Sequence, residues 1–111
     1  MHISTFTEFP LSNKAARQII KEILSNDDSR FFMTRHAIDR MNERGITESQ
    51  IRNVLLSPSS YVSENTSQTP RGDWKLNITG WSAGTVIDVT VALRRVESDP
   101  HAFVMTVKIP H

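Results

Sequence analysis

His36, Arg40 and Arg44 stand four residues apart, the spacing at which side chains line one side of a helix. One imidazole and two guanidinium groups in a row suit a phosphate-containing substrate. Guanidinium forks match phosphate oxygens, and an imidazole exchanges a proton near neutral pH. The competing reading is an ordinary solvated face, on which Arg40 and Arg44 pair with Asp39, Glu43 and Glu48 while His36 packs at the helix start.

Metal-free RNA cleavage needs a base for the 2′-hydroxyl, cationic groups for the scissile phosphate and an acid for the 5′-oxygen. His36, Arg40, Lys75 and Lys108 are the catalytic candidates for those roles if helix and sheet converge. Arg44, Arg71 and Trp81 are the candidates for holding substrate. Lys75 and Lys108 occupy polar-facing strand positions with Asn77, Asp88, Thr90 and Thr106, a mixture that a solvated face explains equally well. A lysine acting as base needs a lowered pKa, which neighbouring arginines favour. Trp81 falls in an expected turn and is a candidate for base stacking or protein contact, whereas Trp74 shares a face with Leu76 and Ile78 and reads as core. No metal site and no cofactor are expected, because His2, His36, His101 and His111 are scattered and neither a Gly-rich phosphate loop nor a G-x-S-x-G nucleophile elbow occurs.

These residues need elements to position them. Residues 1–11 read as an N-terminal arm, and 12–111 as a single domain. Ala15, Ala16, Ile19, Ile20, Ile23 and Leu24 recur at helical spacing, with Ser12 or Asn13 as the cap. Phe31–Met33 reads as a short buried extended piece. Thr34 caps a second helix whose inward side is Ala37, Ile38 and Met41, and Gly45 ends it in the left-handed conformation. Thr47 and Gln50 form a capping box, with Ile46 and Ile51 as a hydrophobic staple, and Ser57-Pro58 stops that helix.

Beyond Pro58 the period falls to two. Strands are expected at Ser60–Glu64, from Trp74, over Thr85–Leu93 and over Ala102–Ile109, with turns at 66–73, Gly80–Gly84 and Arg94–His101. In the last strand Phe103, Met105, Val107 and Ile109 are expected on one face. The fold class is α+β: N-terminal helices on a curved antiparallel sheet of about four strands.

With 111 residues, one domain accounts for the whole chain. Thirteen basic and twelve acidic residues leave a formal charge of +1, so a polyanion must be met by a local patch. Cysteine is absent, which removes disulfides and thiol chemistry and fits a reducing, cytoplasmic setting. No apolar run suggests a membrane span or an export signal.

The stretch Thr34-Arg35-His36-Ala37-Ile38-Asp39-Arg40-Met41-Asn42-Glu43-Arg44-Gly45-Ile46-Thr47, continuing to Val54-Leu55 and Ser57-Pro58, resembles the bacterial domain-of-unknown-function family 4258. The resemblance covers about Phe31 to Ile109 and includes the basic and glycine loop at Arg71-Gly72. It implies kinship with small metal-independent ribonuclease toxins of RelE-like, MqsR-like and barnase-like type, and so a RelE- or barnase-like fold. It points to His36, Arg40 and Arg44, and beyond them to Arg71, Lys75 and Lys108. The expected function is a metal-independent endoribonuclease of a toxin–antitoxin pair, with RNA, an antitoxin protein and the ribosome as partners. The alternatives are a noncatalytic protein-interaction module and nucleic-acid binding through the Thr34–Leu56 helix pair.

Overall fold

The structure, a computed structural model, describes residues 8–110; the rest of the 1–11 arm, with His2, and His111 lie outside the described residues. Each helix starts on a side-chain oxygen that accepts an otherwise unpaired backbone amide. Ser12 Oγ takes the Ala15 amide at 3.0 Å and opens α1 (Asn13–Asn26). Ala16, Ile19, Ile20 and Ile23 recur three and four apart and are fully buried. A single 3-10 turn then leads into β1 (Phe31–Met33).

Thr34 caps α2 (Arg35–Arg44), and Gly45 at φ 66° closes that helix in the left-handed region. Thr47 and Gln50 make the reciprocal capping box of α3 (Glu48–Leu56), and the flanking Ile46 and Ile51 are both buried. Four strands follow: β2 (Tyr61–Gln68), β3 (Trp74–Ser82), β4 (Thr85–Arg94) and β5 (His101–Lys108). Leu76, Ile78, Ile87, Val89, Val91 and Leu93 alternate along β3 and β4 toward the helices and form one core with them. The fold is α+β, with helices packed on one face of the sheet.

The sheet differs from the expectation in strand number and direction. It has five strands in the order β1-β5-β4-β3-β2, and it is mixed, because β1 joins the edge parallel to β5. A three-residue strand has too little pattern to announce its pairing, and its middle residue, Phe32, is 41% exposed rather than buried. The expected faces of β5 also change partway. Thr106 pairs with Thr90 and Val104 with Val91, so Met105 is an extra, bulged residue. Ala102 and Val104 face the core before the bulge and Val107 after it.

Two further boundaries move. β3 runs through Gly80 and Trp81 to Ser82, and the turn shrinks to Ala83 and Gly84, both at positive φ as a type I′ hairpin requires. β2 continues to Gln68, into the expected polar loop. Ile38, expected inward, is 41% exposed, because Ala37 and Met41 supply the inward side of so short a helix. The described end of the arm packs on the domain: Leu11 is buried in the core, and the Phe9 ring stacks on Trp74 at 5.6 Å. Among the described residues no helix is long and apolar enough to cross a membrane.

Gly80 marks where α3 and the chain after it press on β3. A Cβ built there meets Ser60 Oγ at 2.1 Å and Val54 Cγ1 at 3.3 Å. Gly80→Val is therefore expected to destabilise the domain by about 1–3 kcal/mol through overpacking. A urea midpoint equal to that of the parent would show that the contact yields freely.

Candidate functional site

The site is built around one hydroxyl. Thr34 Oγ1 accepts the Ala37 amide at 3.2 Å as the cap of α2, and it lies 2.9 Å from the Val104 carbonyl and 3.2 Å from that of Met105, to which it donates. The Thr34 amide adds a 3.1 Å bond to Val104 O. The start of α2 is thereby fastened to β5 at its bulge, and His36, the second helical residue, is held beside the sheet face opposite the core.

A cavity of about 430 Å³ opens at this junction. Thr34, His36, Met105 and Thr106 form one side. Glu64, Lys75, Asn77 and Thr90 form the remainder. The register explains the convergence: Glu64, Asn77, Thr90 and Thr106 are successive partners across β2, β3, β4 and β5. Thr90 Oγ1 donates to Asn77 Oδ1 at 2.8 Å, and Asn77 Nδ2 donates to Glu64 Oε2 at 3.4 Å. Lys75 lies two residues along β3 from Asn77, on the same face, and is half-buried.

Of the residues singled out from sequence, His36 and Lys75 share this cavity. The helical row divides after its first member. Arg40 forms an ion pair with Glu43, and Arg44 reaches the same carboxylate at 3.5 Å. Lys108 lies on the cavity's face of the sheet but pairs at 3.5 Å with the buried Asp88, which also accepts a bond from Thr79 at 3.3 Å. Arg71 is exposed in the turn between β2 and β3. Trp81 is 68% exposed on β3.

Sequence reasoning missed Glu64 as a site residue. Two register shifts in β2, between Val62 and Glu64 and between Glu64 and Ser67, hide which face it takes. Asn77, Thr90 and Thr106 were legible as polar-facing positions, and the period-two pattern was the signal. α3 packs Ile51, Val54 and Leu55 on the sheet and leaves its remaining side chains partly or fully exposed. Among the described residues no three His, Asp or Glu side chains cluster as a metal site.

Aromatic groups flank the cavity along the same face. Phe32 stacks on Phe103 at 5.0 Å and on the imidazole of His101 at 5.9 Å. The Arg94 guanidinium lies 4.4 Å from the Phe103 ring centroid and donates to Asp73 at 2.9 Å. His101 Nδ1 is 2.6 Å from the Asp99 carbonyl, a contact that fits a proton on that nitrogen. Burial holds the His101 pKa below its ordinary value of 6.5, and the positive charges of Arg30 and Arg95 add to the effect.

The family model described as "Domain of unknown function (DUF4258)" matches residues 33–108, and the chain belongs to that family. No curated protein and no solved structure matches it. The matched segment begins at Met33 and so contains the α2 cap, the cavity and β5.

Thr34→Val retains the branched shape but loses the cap and the hydroxyl donation. It is expected to cost about 1–2 kcal/mol, read as a lowered urea midpoint that Thr34→Ser largely restores. A second expectation concerns pH. Above pH 6.5 His101 is neutral in both folded and unfolded chains and contributes nothing. As pH falls through that value the unfolded chain takes the proton first, so stability declines, and the loss is complete below the folded pKa. His101→Gln should flatten the decline that sets in as pH falls through 6.5. Asp27 titrates lower, its carboxyl held below 3.8 by hydrogen bonds from Ser29 and then Arg30. An unchanged slope in the His101 variant would assign the decline to other groups.

Proposed function

We propose that this DUF4258 domain is a metal-independent endoribonuclease, acting as the toxin of a toxin–antitoxin pair. The observation that carries the reading is that His36, Lys75 and Glu64 line one cavity, while neither the imidazole nor the ammonium is engaged in a hydrogen bond or ion pair with a described residue. A half-buried ammonium, an imidazole and a carboxylate lining one cavity offer a site for a phosphodiester and its proton transfers.

In the proposed reaction Glu64 takes the proton of the ribose 2′-hydroxyl, and the 2′-oxygen attacks the adjacent phosphorus. Lys75 faces the non-bridging oxygens and stabilises the charge gathered on them. His36, in its imidazolium form, gives a proton to the departing 5′-oxygen. The products are a 2′,3′-cyclic phosphate and a 5′-hydroxyl end, so atoms and protons balance without an added reactant. Arg40, Arg44 and Lys108 stand outside the cavity and belong to the electrostatic surround in this reading. Trp81 and Arg71 remain candidates for holding more distant nucleotides. The kinship with RelE-like, MqsR-like and barnase-like enzymes, a cytoplasmic setting, an antitoxin that occludes the cavity and an encounter with ribosome-bound message are parts of the same proposal.

Trp81 and Tyr61, 68% and 59% exposed, favour a second reading. A noncatalytic protein-interaction module would use such aromatic residues as anchors, and Trp81→Ala would then abolish partner capture in a protein that never cleaves RNA.

The deciding measurement is single-turnover cleavage of labelled RNA with chelator present, with end-group analysis of the products. His36→Gln, Glu64→Gln and Lys75→Met are each expected to slow cleavage by about 10²-fold or more. Lys21→Gln, on α1, should leave the rate unchanged. Induced expression should arrest growth, and His36→Gln should relieve the arrest. Intact RNA and unimpaired growth with folded parent protein would defeat the nuclease reading in favour of the interaction module.

A further inference from the structure

The sheet register continues from the cavity's Lys75 in a direction that cleavage chemistry does not require. Lys75 pairs with Ala92, Ala92 with Phe103, and Phe103 with Phe32, so one row crosses β3, β4, β5 and β1 on the cavity's face. Neighbouring strands lie about 4.8 Å apart, which puts the Phe103 backbone roughly 10 Å from that of Lys75 and the Phe32 backbone one strand farther. Ala92 is 3% exposed yet stands apart from the core cluster. Ala92 is thus covered by its neighbours, and a strand passing from ammonium to rings crosses over it rather than touching it.

Past Ala92 the Phe32 and Phe103 rings are nearly parallel, with an interplanar angle of 18°. Arg94 lies against the Phe103 ring. A phenylalanine on an outer strand face, stacked with a second one and bordered by a guanidinium, has no role in the core on the other side. Phe32, which also stacks on His101, still leaves 41% of its surface exposed and offers a π surface on the cavity's face of the sheet, the kind of surface that holds a base of a single strand. Charge complementarity selects the occupant: the Lys75 ammonium, which has no ion pair among the described residues, stands in the same row as the rings, while Arg94 is shared with Asp73, and a free cation there matches an anionic backbone better than an apolar peptide.

We infer that the Phe32–Phe103 ledge is a nucleobase-stacking subsite for single-stranded RNA, receiving the base of a nucleotide adjacent to the phosphate held at Lys75. The inference rests on the RNA reading of the cavity and adds a defined position for the substrate. Stacking tolerates every base, so the ledge sets affinity and register on the strand with little sequence preference.

The test is fluorescence anisotropy with uncleavable, labelled 2′-O-methyl oligoadenosine decamers, one series carrying a single abasic position moved along the strand. Phe32→Leu keeps the apolar bulk and removes the ring. It is expected to weaken binding of the intact decamer about tenfold, with an unchanged urea midpoint. One abasic position should weaken binding to the parent protein by a similar factor and weaken binding to Phe32→Leu no further, because ring and base are lost from the same contact. Phe103→Leu should behave in the same way, while Lys75→Met should weaken binding independently of the abasic position. Decamer binding that is indifferent to Phe32→Leu, or losses that simply multiply, would overturn the subsite and leave the RNA site standing. Parent protein that binds no decamer overturns both. A dimer in sedimentation that Phe32→Leu dissociates would then assign the ledge to a second copy of this chain.

Discussion

The Thr34 hydroxyl ties the beginning of α2 to two carbonyls of β5, and the relation of helix to sheet depends on that tie. The oxygen serves as acceptor for the helix and as donor to the strand, so neither element can shift without leaving a backbone group unpaired. The tie is available because β1 is only three residues long. Its parallel ladder with β5 ends at Met33 and Val104, and the next strand positions meet α2 instead. The bulge at Met105 adjusts the strand at that point and turns Val107 back toward the core.

Around this junction most arginines are already engaged. Arg30, Arg35, Arg40, Arg44, Arg52 and Arg94 all meet carboxylates. Exposed pairs of this kind add little stability, of the order of 0–1 kcal/mol each. Their larger effect is on where positive charge is free to act. Lys75 keeps its ammonium while the cations on α2 are held by their own helix. A net charge of +1 therefore says little about the local field in the cavity.

The helical half of the molecule was legible in its caps and stops, though the first cap was open between Ser12 and Asn13 and Ile38 was expected inward. Caps and stops are local chemistry: Ser12, Thr34, Gly45 and the Thr47–Gln50 box act within a few positions of themselves. The two central strands were legible for a similar reason, since alternation in Thr85–Leu93 survives intact in β4. The site was legible in part. His36 drew notice through its neighbours Arg40 and Arg44, and Lys75 through its place in an alternating strand. Bulges interrupt the period without any local mark, which misplaced the faces of β5 and concealed Glu64 in β2. The parallel edge was unreadable because its partner residues lie far along the chain.

That distance has a consequence for how the molecule assembles and opens. The β3–β4 hairpin closes through a two-residue turn and can form early from neighbours in sequence, whereas Thr34 and Val104 are 70 residues apart. Loop-closure entropy makes such a contact late to form, and a three-residue strand gives it few bonds to resist fraying. Phe32 and the anchored end of α2 are thus carried by the last edge to be completed and the first to be released. The part of the molecule with the least cooperative support borders the cavity. Amide protons of Phe32 and Met33 should therefore exchange through a smaller opening than those of Val89 and Val91, and a ligand bridging that edge to β3 would join the two.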